Sequence, residues 1–344
     1  MENQCILCHS IAMKISDIIL SEIKKANSIL LCCHPSPDPD SVGSNLAMKF
    51  ALESLGKRVT VIKGDSEIPQ GFMHFPGAKD IVAKNFCEVD LKDFDLFILL
   101  DVSSTNQISK LKQVVFPLPI KSIAIDHHPS NSGFTDLSLI VPDASATGQV
   151  LFDFFNEIGV EITANMAANL FIAIYADTGG FKFSNASLKT YETVASLVKI
   201  YPEFSSLILG MQNSETPEGL AFCGVALDSV EVFLGGKLAI SGVSNAKLAE
   251  KKITVAGIGG SPISISSMMN TVAEWKIVAS LVEQTPGKVK CSFRTKDIVN
   301  FSVGDLATAL GGGGHKAAAG ATISASLEDA KKLIVSKAKE LYNL

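Results

Sequence analysis

The stretch Ser28-Ile29-Leu30-Leu31-Cys32-Cys33-His34-Pro35-Ser36-Pro37-Asp38-Pro39-Asp40 changes character in one step. Ser28 to Cys33 reads as a strand, and from His34 the chain turns to imidazole, proline and carboxylate. A strand with no polar alternation is apolar on both faces, as in a parallel sheet covered on both sides. The same abrupt ending recurs, with Leu96 to Leu100 running into Asp101 and Ser122 to Ile125 into Asp126-His127-His128. Val59 to Ile62 reads as another strand. Leu46, Ala47, Phe50, Ala51 and Leu55 fall at helical spacing, with Gly56 placed to end that helix. Thr147 to Ile158 and Ala164 to Tyr175 read as helices. Short buried strands alternating with helices predict an α/β domain built on a parallel sheet. Ligands of open parallel sheets bind beyond the carboxyl ends of the strands.

Farther along, the pattern loosens over residues 201–219, where Pro202, Gly210, Pro217 and Gly219 suggest a linker. Beyond it, Val230 to Leu234 and Lys237 to Val243 read as a hairpin around Gly235-Gly236. Lys276 to Val282 and Lys288 to Phe293 read as a second, around Pro286-Gly287. Val303 to Leu310 and Leu327 to Leu341 are helical in pattern. The expected organisation is a parallel-sheet domain over 13–200, a linker over 201–219, and a smaller, partly antiparallel α+β domain over 220–344. The 344 residues agree, since about 150 residues per domain gives roughly two domains.

Composition narrows the classes of function. Hydrophobic residues are 47% and charged ones 19%, which supports packed cores rather than disorder. The net charge of −5 argues against a protein that coats long nucleic acid, while allowing a small basic pocket for a phosphorylated ligand. The apolar runs fall short of the roughly 20 residues of a membrane span, and no secretory signal is read at the start. Seven scattered cysteines suit a reducing cytoplasm. Cys5-Ile6-Leu7-Cys8-His9 matches the haem attachment string. Such attachment requires export, and residues 1–12 are expected instead to be a disordered extension before a natural start at Met13. Nothing in the sequence speaks to oligomeric state.

Taken singly, the polar residues are ordinary. Asp38 and Asp40 can serve a turn and a helix N-cap, Asp101 a loop, and Asp177 a turn before Gly179-Gly180. Together, four separate segments deliver Asp38, Asp40, Asp101, Asp126 and Asp177, with His34, His127 and His128, to one region. Such a gathering of carboxylates is unfavourable without a counter-charge, and no lysine or arginine lies within these motifs. One or two divalent cations resolve the repulsion. Oxygen-rich ligands with a few imidazoles favour manganese, with magnesium as the alternative. Two such ions suit phosphoryl transfer, one activating water and both stabilising the charge that builds on phosphorus. His128 would be placed to contact the phosphate or to move a proton.

A second constellation lies downstream. Gly311-Gly312-Gly313-Gly314-His315-Lys316 offers backbone N–H groups and charge to an anion, and Arg294 offers a planar fork. The plain alternative is a flexible turn into Ala317-Ala318-Ala319-Gly320. A single Trp and four Tyr give little support for an extended base-stacking surface, so a nucleic-acid substrate should be short.

In this order, HPSPDPDSVGS, LLDVSS, IDHHPSN, YADTGGF, FRTKD and GGGGHKAAAG resemble the DHH phosphoesterase family with its DHH-associated C-terminal domain. Length and the GGGGH string look most like the nano-RNase type, which degrades very short RNA oligomers and dephosphorylates 3′-phosphoadenosine 5′-phosphate. The resemblance implies that His34, Asp38 and Asp101 hold one metal ion. Asp40, Asp101, His127 and Asp177 would hold a second, with Asp101 bridging. It implies further that Asp126 orients a histidine, that His128 faces the scissile phosphate, and that Arg294, His315 and the backbone of Gly312, Gly313 and Gly314 grip the substrate. Its expected substrates are short RNA or DNA oligomers or a bisphosphorylated nucleoside. Alternatives within the family are cyclic or linear dinucleotides and polyphosphate, and a non-catalytic nucleotide sensor is the alternative outside catalysis. Two positions depart from the pattern: Gly180 stands where arginine is frequent, and Pro39 where glycine is common.

Overall fold

The computed structural model describes residues 14–258 and 263–344. The haem-like string and the expected extension lie outside them. The chain forms two compact units, the first ending at Met211 and the second running Gln212–Leu344.

The first unit holds α1 (Ile15–Lys25), β1 (Ser28–Cys32), α2 (Pro39–Ser54), β2 (Arg58–Ile62), β3 (Leu96–Leu100), β4 (Lys121–Asp126), β5 (Leu137–Ile140), α3 (Thr147–Glu157), α4 (Ala164–Asp177), α5 (Leu188–Ile200) and α6 (Phe204–Gln212). Its five strands lie in the order β2-β1-β3-β4-β5, every pair parallel. The apolar runs are therefore buried on both faces, as their lack of alternation predicts. Ile29 and Leu31 point into the core under the helices, while Leu30, Cys32, Phe97 and Leu99 face the opposite side. Each buried aliphatic side chain contributes about 1.5–3 kcal/mol.

That second face departs from the simple alternation of strand and helix. The connection between β2 and β3 holds only short 3₁₀ turns, and Phe86, Val89, Leu91 and Phe94 cover the sheet from loops. On the helical face, α2, α3 and α4 approach closely through small residues. A Cβ on Gly43 would stand 2.6 Å from the Asn169 carbonyl oxygen, and one on Gly148 2.7 Å from the Ala173 Cβ.

The second unit holds α7 (Pro217–Asp228), β6 (Val230–Phe233), β7 (Leu238–Val243), α8 (Asn245–Glu250), α9 (Ile265–Met269), β8 (Ile277–Thr285), β9 (Lys288–Thr295), α10 (Val303–Ala309), β10 (Gly313–Gly314), β11 (Ala318–Ile323) and α11 (Leu327–Tyr342). Both expected hairpins form. The sheet order is β10-β11-β9-β8-β7-β6, antiparallel except for β7 with β8. Residues 201–219, expected as a linker, carry α6 and the start of α7, and the division between units falls within α6. Prolines and glycines suggested a break there, yet Pro217 sits in the first turn of α7, where its missing N–H is not needed.

Candidate metal centre

The site grows from the carboxyl ends of β1, β3 and β4 and from the ends of three helices. After β1 the chain turns through His34 and starts α2. Asp38 is the N-cap of that helix, accepting from the Ser41 N–H at 2.9 Å, and Pro39 opens its first turn. The proline thus fits its place. Gly64 packs so closely on the His34 carbonyl that a side chain there would displace the turn.

Asp40 faces inward from the first turn of α2. Its Oδ2 accepts from the Thr147 N–H at 2.8 Å, and its Oδ1 from the Gly148 N–H and the Ser44 hydroxyl, both at 3.0 Å. Those amides open α3, whose N-cap position is Ala146 and supplies no side-chain bond. Asp40 therefore caps α3 from another element. Asp101 follows β3 with φ of 60°, left-handed for a residue with a side chain, and accepts from the Thr147 hydroxyl at 3.2 Å. Asp177 is the last residue of α4, a helix end rather than a strand end. Asn185 donates to its carbonyl at 3.1 Å and to that of Ser145 at 3.0 Å, tying the following loop back.

These elements bring the expected residues together in two groups. His34 Nε2 lies 3.3 Å from Asp38 Oδ2 and 3.7 Å from Asp101 Oδ2. His127 Nε2 lies 3.8 Å from Asp40 Oδ2, 3.7 Å from Asp101 Oδ1 and 3.5 Å from Asp177 Oδ2. His34, Asp38 and Asp101 each offer a ligand atom within 4.8 Å of the others, as do Asp40, His127 and Asp177. A third such group is Asp101, His127 and His128. Asp101 thus presents one oxygen toward each of the first two groups.

Around this inner set stands a polar frame. His127 Nδ1 meets the Ala144 carbonyl at 3.2 Å, which directs Nε2 toward the acids. Asp126 is fully buried; its Oδ1 pairs with His128 Nδ1 at 2.8 Å and its Oδ2 accepts from Asn131 at 2.8 Å. Thr147, Ser44 and Asn131 escape sequence reading because small polar residues near helix starts and turns are common. Ser44 and Asn131 close two of the quoted strings, HPSPDPDSVGS and IDHHPSN, and that was their only signal; Thr147 had none.

The electrostatics show what the cluster lacks. Burial and the nearby Asp40, Asp38, Asp177 and Asp126 hold Asp101 well above the carboxylate range. Burial raises Asp40 as well, His127 opposing and Asp38 adding to the rise. Asp177 is pushed up to about 8 by burial and by Asp40 and Asp38. Asp38 goes the other way, to about 2, because the charge and hydrogen bond of His34 outweigh burial. Burial would likewise raise Asp126 and lower His128, but their mutual bond and charges win, drawing Asp126 down and His128 up. Among the described residues, no lysine or arginine forms an ion pair with any of these five acids; only histidines do. Carboxylates and imidazoles in two adjoining groups form a donor set that suits hard divalent cations.

In the second unit, Arg294 lies within β9, half-buried, and its guanidinium donates to the Phe293 carbonyl at 3.0 Å. Burial draws its pKa below the usual value. The glycine run is not a loose turn. Gly313 and Gly314 pair with Gly320 and Ala319 as β10 and β11. Gly312, expected to offer its N–H to an anion, donates it to the Ala307 carbonyl at 2.7 Å, and the His315 N–H goes to Ala318 at 2.8 Å.

Comparison with known proteins identifies the family. Residues 28–174 match the DHH family N-terminal domain, and residues 249–343 match the DHHA1 domain. This chain is a DHH–DHHA1 protein. It is 28% identical over 325 residues to a bifunctional oligoribonuclease and PAP phosphatase NrnA from Thermus thermophilus, covering 94% of this chain and 93% of that one. A Bacillus subtilis protein of the same name is 25% identical over 311 residues, covering 89% and 92%. An exopolyphosphatase-related protein from Bacteroides fragilis shares the fold, with a TM-score of 0.84, 22% identity, and coverage of 98% of this chain and 99% of that one.

Proposed function

We propose that this DHH–DHHA1 protein hydrolyses phosphate esters of short oligonucleotides, of 3′-phosphoadenosine 5′-phosphate, or of both, using two divalent cations. The chain is a hydrolase of the metal-dependent phosphoesterase family, and three relatives over most of its length bear the name of bifunctional oligoribonuclease and PAP phosphatase, one of them as probable. One observation carries the reading: the two carboxylate–imidazole groups meet at Asp101, whose oxygens point one to each. His34, Asp38 and Asp101 would hold one ion, and Asp40, Asp101, His127 and Asp177 the other. When bound, such ions activate water and neutralise charge developing on phosphorus, and manganese suits the donor set best.

The remaining roles belong to side chains. His128, held by Asp126 through Nδ1, would meet the phosphate through Nε2 and donate a hydrogen bond or proton to an oxygen of the reacting group. Arg294 and His315 would hold the substrate's far end, with Gly313 and Gly314 allowing close approach and Gly312 anchoring the run to Ala307. The five described cysteines, Cys32, Cys33, Cys87, Cys223 and Cys291, are free, and we place the enzyme in the cytoplasm. Long nucleic acid and membrane are not among its proposed partners.

The test is a manganese-supplemented panel of dinucleotides, longer RNA and DNA oligomers, 3′-phosphoadenosine 5′-phosphate, cyclic dinucleotides and polyphosphate, with product analysis. Release of mononucleotides, or of inorganic phosphate from the bisphosphate, is expected. Hydrolysis of polyphosphate or cyclic dinucleotide alone would move the chain to a different substrate class, and metal uptake without turnover of any substrate would leave a sensor.

A further inference from the structure

The two metal groups share one side chain, so the rotation of the Asp101 carboxylate decides whether both can be filled. Its Oδ2 faces His34 at 3.7 Å, and its Oδ1 faces His127 at 3.7 Å and His128 at 3.6 Å. A quarter turn about the bond to the carboxylate would carry both oxygens away from these partners. Carboxylate torsions of this kind are broad, so the side chain does not fix itself. The left-handed backbone of Asp101 places its Cα and Cβ, but it does not set that last torsion.

What meets the carboxylate from outside the metal groups is Thr147. Its hydroxyl reaches Oδ1 at 3.2 Å, the same oxygen that faces His127. The threonine is well placed for this task. It is fully buried, and β-branching narrows its χ1. Its own N–H is fastened to Asp40 Oδ2 at 2.8 Å. Behind it, Gly148 lets α3 lie against Ala173 of α4, one turn before Asp177. Thr147 therefore touches an acid of each kind: Asp40, which belongs to one group, and Asp101, which is common to both.

We infer that Thr147 is a positioning residue whose hydroxyl sets the rotation of the Asp101 carboxylate, so that each oxygen serves a different metal ion. The inference rests on the two-ion reading above. It assigns the hydroxyl a role separate from the backbone N–H, which any residue but proline would supply.

The test is titration of the metal-free full chain with Mn²⁺, read by calorimetry and by the exchange-coupled signal of a dimanganese pair in low-temperature EPR. Thr147→Val keeps the shape and the N–H and loses the hydroxyl. It should bind the first ion as wild type does, bind the second about 10–100-fold more weakly, and lose the coupled signal. Thr147→Ser should restore both. Thr147→Ala, also without the hydroxyl and adding no bulk, should repeat the valine result and serves if the valine variant does not fold. Two tight ions and a full coupled signal in Thr147→Val or Thr147→Ala would overturn the inference, as would a serine variant as impaired as the valine one. Failure of the wild type itself to bind two ions would overturn the two-ion reading instead, which separates the two claims.

Discussion

The acid cluster of the first unit and the glycine run of the second are the two most conspicuous strings in the sequence, and the fold uses them in opposite ways. In the cluster, side chains that would be comfortable in water are held together where their charges repel. Nothing in the packing requires Asp101 or Asp177 to carry a charge, and asparagine would be easier to bury. In the run, glycine answers to the backbone. A Cβ on Gly312 would collide with the carbonyl of Gly320, and one on Gly314 would stand 2.6 Å from the Ala319 Cα. An arrangement that is unfavourable by itself points to a ligand that relieves it, whereas one that packing already explains does not.

The sharpest way to break this contrast is at Asp101. Asp101→Ala should lower turnover by about 10³-fold or more, about 4 kcal/mol of transition-state stabilisation, measured on whichever substrate the panel identifies. The metal-free protein should respond in the opposite sense. Asp101→Asn removes a repelling charge, so in the presence of chelator it should melt above the wild type. A metal-free Asp101→Asn protein less stable than wild type would show that the acid is structural.

Next in size is the link from Asp126 to His128. Asp126→Asn keeps the shape but weakens the hold on the imidazole, and a loss of about 10–100-fold in turnover is expected with Mn²⁺ stoichiometry unchanged. Loss of metal binding would instead place Asp126 among the ligands. Mn²⁺ itself should stabilise the wild type by about 2.7 kcal/mol at a concentration 100 times its dissociation constant, seen as a rise in Tm that Asp101→Ala largely abolishes.

How much of this could be read beforehand follows the same division. Strands buried on both faces announced themselves because β1, β3 and β4 carry no polar alternation, and each runs within two residues of its end into a residue of the site. The loop-covered face between β2 and β3 was not legible, since Phe86, Val89, Leu91 and Phe94 are scattered at no regular spacing. The two helices over 201–219 were hidden by prolines and glycines that tolerate helix starts as well as breaks. The strand β11 was masked because Ala318-Ala319-Gly320-Ala321 has little β propensity, and only pairing with β9 makes it a strand. Thr147 and Asn131 were illegible for another reason. What they do depends on which distant carboxylate the fold brings to them.

The glycine run offers a smaller test that sharpens the contrast from the other side. Gly312→Ala should destabilise the protein by about 1–3 kcal/mol through overpacking. Gly313→Ala should leave stability alone, because no atom lies within 4 Å of its missing Cβ. If Gly313→Ala raises KM while Mn²⁺ binding is unchanged, the run serves the substrate as well as the fold. If neither KM nor kcat moves, packing is the whole of its role.

The smallest expected effect concerns Gly180, one of the two positions at which the sequence departs from the pattern it resembles. Gly179, Gly180 and Phe181 have φ of 59°, 66° and 64°, three left-handed residues in succession one residue beyond Asp177. Arginine at the middle of that run would bring a Cβ to 3.3 Å from the Tyr175 ring, in a conformation that disfavours side chains by about 1–2 kcal/mol. Gly180→Arg should therefore lower stability by about that amount while leaving Mn²⁺ stoichiometry intact, because Asn185 still holds the Asp177 carbonyl and the Asp177 carboxylate still reaches His127. A Gly180→Arg protein as stable as wild type would mean that the backbone is not what keeps glycine here. The departure would then have to be sought in what the loop presents to the substrate.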